Sequence, residues 1–263
     1  MQTSAMLPEG SLKDQTAVIT GGGSGIGLGI AEELGRLGAH LVLAGRNINR
    51  LDTAKAELLR QGFPTITVAT DVRQPDQVQS LIEKATNQWG SLDILVNSAA
   101  GNFLVDTEKL SVNGWNAIVN TVLNGTFYCT RAAGLQMIRQ GHGKILSIVA
   151  SYAWTGGPRT VHSAAAKAGI VAMTRTLAVE WAHHGIRVNA LCPGPTDTEG
   201  ARPLWANPED EIRLRSKIPV GRFGTVEEVA RAASYLVSSY ADYINGEVLV
   251  MDGGEWLGKG LDS

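Results

Sequence analysis

Thr20-Gly21-Gly22-Gly23-Ser24-Gly25-Ile26-Gly27 is the stretch on which the reading of this chain turns. It stands between a short apolar run, Ala17–Thr20, and a helical one, Gly25–Leu37. Glycines let a backbone turn tightly and approach a pyrophosphate with no Cβ in the way. A helix N-terminus adds unpaired N–H groups and the positive end of its dipole. The spacing, Gly-x-x-x-Gly-x-Gly, differs from the commoner Gly-x-Gly-x-x-Gly, so the glycines alone are a weak signal; their place between strand and helix strengthens it. Gly21, Gly23, Ser24, Gly25, Ile26 and Gly27 are therefore expected to cradle a dinucleotide, against the alternative of a purely structural tight turn.

Outward from that turn, short runs rich in Val, Ile and Leu alternate with helical stretches along the chain. Strands are expected at Ala17–Thr20, Leu41–Ala44, Ile66–Thr70, Leu92–Asn97, Lys144–Val149, Arg187–Leu191 and Glu247–Met251. They lack a clean apolar–polar alternation, as parallel strands covered on both faces do. Helices are expected between them, among them Gly25–Leu37, Leu51–Gln61, Pro75–Trp89 and Thr225–Ser238, the last opened by Thr225 and Glu228 at capping-box spacing. The implied fold class is α/β: a Rossmann-type, doubly wound, mainly parallel seven-stranded sheet with helices on both faces, in one domain over residues 1–263.

Composition narrows the partners. The 263 residues carry 23 Lys+Arg against 25 Asp+Glu, a formal charge of −2 that leaves no electrostatic footprint for nucleic acid or an anionic membrane. Cys129 and Cys192 stand apart and outside any Cys-x-x-Cys pattern, so neither a disulfide framework nor a zinc site is expected, and no other metal. His162, His183 and His184 lack a carboxylate or Cys at ligand spacing. Met1–Gly10 lacks the basic start and apolar stretch of a signal peptide, and Leu261-Asp262-Ser263 is no peroxisomal address, so a cytoplasmic location is expected. The longest uncharged run, Leu110–Thr130, has the 21 residues needed to span a bilayer, but Asn113, Asn116, Asn120 and Asn124 argue against insertion. A helix without a charged face is expected to be covered on both sides, which suggests a subunit interface; burial inside one subunit is the alternative.

About twenty residues beyond the glycine turn, where an acid would hold the ribose 2′-OH of NAD, the chain reads Ala44-Gly45-Arg46-Asn47. No carboxylate stands there, and the Arg46 guanidinium suits a 2′-phosphate, which favours NADP(H), used as NADPH, over NAD(H). Asp71-Val72, closing the third strand, are expected beside the adenine.

Thr20–Gly27, Asn97-Ser98-Ala99-Ala100-Gly101 and Pro193-Gly194-Pro195-Thr196, each ending an expected strand, resemble the short-chain dehydrogenase/reductase family over nearly the whole chain. The resemblance implies that Asn97, Ala99, Pro193, Gly194 and Thr196 surround the cofactor. The chain departs from the family's usual Tyr-x-x-x-Lys pair: Ser163 stands four residues before Lys167, and Ala150 stands where the usual Ser would fall. Ser163 and Lys167 still share one helix face, so Lys167 can hold the nicotinamide ribose. A serine hydroxyl cannot replace a phenol as proton donor at neutral pH. The chemistry expected is one whose proton need not come from that position, and a conjugated thioester meets the condition.

One branch, the 2,4-dienoyl-CoA reductases, resembles the chain at Ala99-Ala100-Gly101-Asn102-Phe103, Leu123-Asn124-Gly125-Thr126, Tyr152-Ala153-Trp154, Val161-His162-Ser163-Ala164-Ala165-Ala166-Lys167, and Ile244-Asn245-Gly246 leading into Asp252-Gly253-Gly254. The resemblance implies reduction of a 2,4-dienoyl-CoA to a 3-enoyl-CoA, an auxiliary step in the β-oxidation of unsaturated fatty acids. It implies that Tyr152 and Asn102 donate to the thioester oxygen, with Ser163 supporting them and Lys167 orienting the cofactor ribose. Arg73 and Phe103 match positions that touch the acyl-CoA, and the family implies a homotetramer. Asp197–Pro219, with several cations among its acids, is expected to be a substrate lid. Two other readings stay open: a short-chain reductase of a 2-enoyl thioester or ketone, and a non-catalytic NADP(H)-binding sensor or scaffold. Tyr152 as a core aromatic, Asn102 as a turn former and Ser163 as a helix cap are the plainer alternatives.

Overall fold

All seven apolar runs become strands of a single parallel sheet, in the order β3-β2-β1-β4-β5-β6-β7. They are β1 (Thr16–Thr20), β2 (His40–Gly45), β3 (Thr65–Ala69), β4 (Ile94–Asn97), β5 (Gly143–Ile148), β6 (Ile186–Pro193) and β7 (Val248–Met251). The computed structural model describes residues 6–202 and 207–258. The C-terminal tripeptide, part of Met1–Gly10 and residues 203–206 of the expected lid lie outside them.

The absence of alternation along the strands has a direct cause. Ala17, Ile19, Leu41, Leu43, Ile94 and Val96 face one apolar core, while Val18, Val42, Leu95 and Ile145 face another across the sheet. The first core is closed by α1 (Gly25–Arg36) and the second by α3 (Pro75–Trp89). Residues of the central strands thus meet apolar neighbours whichever way they point. The chain winds outward from β1 to β3, then returns to β4 on the other side of β1. That reversal opens a crevice at the carboxyl ends of β1 and β4, where open α/β sheets bind ligands.

Capping sets the helix starts. Asn47 accepts from the Arg50 N–H at 3.1 Å, so α2 (Ile48–Arg60) begins before the expected Leu51. The uncharged run divides into α4 (Val112–Ile118), a wide π turn at Val119–Asn124, and α5 (Gly125–Gln140). Its inner face is buried at Ile118, Val122, Cys129, Ala133 and Met137. Its outer face leaves Val112 75%, Phe127 46% and Leu135 43% exposed, so one subunit does not enclose it. Two further helices, α6 (Tyr152–Thr155) and α7 (Val161–Trp181), follow β5, and α8 (Pro208–Ser216) lies in the expected lid. The chain's last long helix, α9 (Val226–Val237), packs on α1 and carries the capping box: Glu228 N–H donates to Thr225 Oγ1 at 3.2 Å, and Thr225 N–H to Glu228 Oε2 at 2.9 Å. Among the described residues no helix is long and apolar enough to cross a membrane, and no cluster of three metal-ligating side chains occurs.

Candidate active site

A cavity of about 890 Å³ lies in the crevice, from the glycine turn to Thr121 and the end of β5 at Ile148. Its floor requires glycine at two places. Gly21 has φ +68°, and a Cβ there would lie 2.9 Å from the Ser98 carbonyl oxygen; at Gly27 it would lie 2.4 Å from the carbonyl of Gly21. The turn is therefore folded on itself, which brings backbone N–H groups to the cavity wall. Ser24 stands at the N-cap of α1 without capping it, so that helix end keeps its N–H groups for a ligand. This cradle fits the pyrophosphate of a dinucleotide.

At the far end, Arg46, Asn47 and Arg50 line the cavity around the start of α2. Arg50 escaped the reading of the sequence, although Asn47 three residues earlier is a capping signal that places it in the first helical turn. Its guanidinium stands 3.9 Å from Glu199, across the cavity mouth. Asp71 and Val72 line the same end. The Arg73 guanidinium grips Asp71 through both carboxylate oxygens, at 2.5–3.0 Å, and holds that carboxyl below the ordinary range. Arg73 therefore stands beside the Asp71–Val72 end of the cavity. Ala99 lines the cavity, whereas Asn97 is buried and donates to Thr130 Oγ1 at 3.0 Å and Ser147 Oγ at 3.3 Å, tying β4 to β5 and α5. Beyond β6, Gly194 packs against Asp252 so closely that a Cβ would approach its Cα to 2.6 Å, and Thr196 Oγ1 donates to the Gly194 carbonyl at 3.0 Å. This braced turn delivers Thr198, two residues on, to the cavity wall.

Beyond Ile148, residues from separate elements meet. Ser163 and Lys167 lie one turn apart on α7, both buried. Lys167 Nζ donates to the carbonyl of Ile148, itself a cavity residue, at 2.5 Å, and burial lowers its pKa to about 8. The Tyr152 hydroxyl, at the start of α6, meets Ser163 Oγ at 3.1 Å. Burial raises the phenol above its ordinary pKa and outweighs the opposing effect of Ser163, so Tyr152 holds its proton at neutral pH. Asn102 lies on the irregular segment after β4, where its Oδ1 accepts from the Phe103 N–H at 2.9 Å. That bond occupies the acceptor half of the amide and leaves the NH₂ to donate. Phe103, 40% exposed, rests its ring on His162 at 4.5 Å, which places the Asn102 segment one residue from Ser163. The arrangement places a phenol and an amide, each able to donate a hydrogen bond, on the segments that follow the cavity residues Ala100 and Ile148.

In the segment 197–219 the three arginines meet acids of their own stretch: Arg202 contacts Asp197 at 3.0 Å, Arg213 contacts Asp210, and Arg215 contacts Glu211 at 2.7 Å.

Residues 21–255 match the family model described as enoyl-(acyl carrier protein) reductase, and the chain belongs to this family, within the short-chain dehydrogenases/reductases. It is 44% identical to a Bacillus subtilis protein named as a probable 2,4-dienoyl-CoA reductase, (2E)-enoyl-CoA-producing, over 94% of this chain and 98% of that one. It is 41% identical to the peroxisomal 2,4-dienoyl-CoA reductase, (3E)-enoyl-CoA-producing, of Mus musculus, over 94% of this chain and 85% of that one. A solved structure of a short-chain dehydrogenase from Bacillus anthracis superposes with a TM-score of 0.86 at 47% identity, covering 93% of this chain and 97% of that one. The doubly wound parallel sheet and the family agree with what the glycine turn implies, and an oxidoreductase follows from both.

Proposed function

We propose that the protein reduces 2,4-dienoyl-CoA thioesters with NADPH. The observation that carries the reading is a protonated, Ser163-bonded Tyr152 together with an exposed Asn102 amide whose NH₂ is free to donate, in a chain whose Tyr-x-x-x-Lys position is serine. When bound, NADPH supplies the hydride. Lys167 holds the nicotinamide ribose, the glycine turn holds the pyrophosphate, and Arg46, aided by Arg50, holds the 2′-phosphate. Tyr152 and Asn102 donate to the thioester oxygen and stabilise the negative charge that develops there when C5 accepts hydride. Ser163 keeps the Tyr152 hydroxyl in place. The resulting dienolate takes a solvent proton at C2, the carbon bonded to the thioester carbonyl carbon, giving the 3-enoyl product. The names of the two relatives part over this product, so its position is the sharp test. Cofactor deuterated at the transferring position, in ordinary water, should place deuterium at C5; ordinary cofactor in heavy water should place it at C2, both read by NMR. A 2-enoyl product removes the C2 step, and reduction of ketones but no dienoyl-CoA removes the reading.

The exposed apolar residues of α4 and α5 support a homo-oligomer, which we read as a tetramer in which these helices and α7 bury their outer faces. Light scattering at micromolar concentration is expected to show no stable monomer, and a monodisperse species near the chain mass of 27.9 kDa would refute the interface. The segment 197–219 serves as the lid over an acyl-CoA, within a single domain, and the location is cytoplasmic in this reading.

A further inference from the structure

Two features of the stretch 157–162 have no part in the chemistry above. Arg159 has φ +66°, and the only other non-glycine residue in this region of φ, among those described, is Asp14, a residue type that tolerates it. His162 is wholly enclosed, and neither Nδ1 nor Nε2 has a hydrogen-bond partner. Native interiors rarely leave a buried polar ring unmatched, and such a group demands a reason.

Both residues touch the same object. The Val105 N–H donates to the Arg159 carbonyl at 3.1 Å, and Arg159 Nε stands 3.4 Å from Asp106 Oδ1. The His162 ring packs on Phe103 at 4.5 Å with 51° between planes, and the Phe103 backbone lies beside the imidazole, just outside hydrogen-bond geometry. Phe103 is received from the other side by Gly114 of α4, where a Cβ would lie 3.1 Å from the Phe103 ring. Residues 98–106 form neither helix nor strand, so no backbone ladder sets their distance from Tyr152. These contacts set it instead.

We infer that Arg159 and His162 are positioning residues: they clasp the Asn102–Asp106 segment to the start of α7 so that Asn102 and Tyr152 address the same oxygen. The inference rests on the donor roles given above to those two residues. Left-handed backbone at Arg159 turns its carbonyl toward Val105, and the imidazole packs its ring on that of Phe103. Neither side chain touches the reacting atoms.

The test is kinetic, on the full chain with NADPH and a 2,4-dienoyl-CoA. His162→Leu and Arg159→Val, each alone and each combined with Asn102→Ala, are compared with wild type. Each single variant should lower kcat about tenfold, because small misplacements of a donor are expensive in rate. NADPH affinity should stay within about twofold, and neither substitution should slow the Asn102→Ala enzyme further. Wild-type kcat in both single variants, or costs that add to that of Asn102→Ala, would overturn the clasp. Should His162→Leu fail to fold, Arg159→Val asks the same question at an exposed side chain. Hydrogen exchange needs no substrate: faster exchange confined to residues 102–106 in the variants supports the clasp, and unchanged exchange refutes it. If wild type reduces no dienoyl-CoA, the functional reading falls and exchange alone decides the clasp.

Discussion

The two ends of the crevice are built differently. At the glycine-turn end the wall is mostly backbone: a turn folded so tightly that Gly27 approaches Gly21, then an uncapped helix start at Ser24 and an Asn47-capped one, with Arg46 and Arg50 the cationic side chains beside them. At the substrate end the backbone is irregular, and side chains from the segments around 102, 152 and 163–167 must be brought together by contacts such as Tyr152–Ser163 and Phe103–His162. Damage at the first end should therefore weaken cofactor selection and spare the chemical step. Damage at the second should do the reverse.

The largest effect expected tests the second half of that contrast. Tyr152→Phe and Asn102→Ala should each lower kcat with a dienoyl-CoA by roughly 10²–10³, the scale of losing one oxyanion donor, while NADPH affinity measured by fluorescence titration hardly moves. Ser163→Ala should cost less, because Ser163 only steadies the phenol. Full activity in Tyr152→Phe would remove the phenol from the mechanism and dissolve the contrast. A smaller effect tests the other end. Arg46→Ala should erode the preference for NADPH over NADH by about tenfold, the loss of one charge-assisted contact, with kcat at saturating NADPH nearly unchanged. Should Arg46→Ala leave a clear preference that Arg50→Ala then abolishes, the 2′-phosphate sits on the helix turn rather than on the strand end.

Legibility followed the same division. The strands and α3 could be placed because burial on both faces leaves a continuous apolar run, and Pro75 marks a helix start that the structure keeps. The glycine turn could be read because a tight turn restricts which residues fit. Asn102, Tyr152 and their partners carry no such local mark: 50 residues of sequence separate the two donors, and only resemblance to the dienoyl-CoA reductases proposed them together. Asn97 was assigned to the cofactor with its neighbours, but sequence position could not show that its side chain turns inward to Thr130 and Ser147. His162 had been set aside for lack of metal partners, although its lack of any partner is what draws notice once burial is known.

The smallest effect concerns the lysine that joins the two ends. Burial lowers Lys167 from 10.5 to about 8 in the folded protein, so between those values the unfolded chain binds a proton there that the folded one does not. Stability rises with pH wherever the unfolded state binds more protons, so this group stabilises the cofactor-free protein as pH climbs through 8 and withdraws that support as pH falls. The buried Cys129 thiol works the other way. Its pKa is pushed up from 9.0 to about 12, so it stays protonated in the fold while the unfolded thiol ionises, and stability declines above 9. The raised phenol of Tyr152 adds to that decline above 10. The window from 8 to 9 thus belongs mainly to Lys167, and one partly titrating group contributes about 1 kcal/mol there. Urea unfolding of the cofactor-free protein should show that rise, and Lys167→Met should flatten it while leaving the decline above 9 in place. A wild-type curve that already falls between 8 and 9 would mean that Lys167 keeps its charge in the fold. The ammonium bonded to the Ile148 carbonyl would then be a cation held by a cavity residue, and the substrate end would carry a positive charge that the neutral donors Tyr152 and Asn102 do not supply.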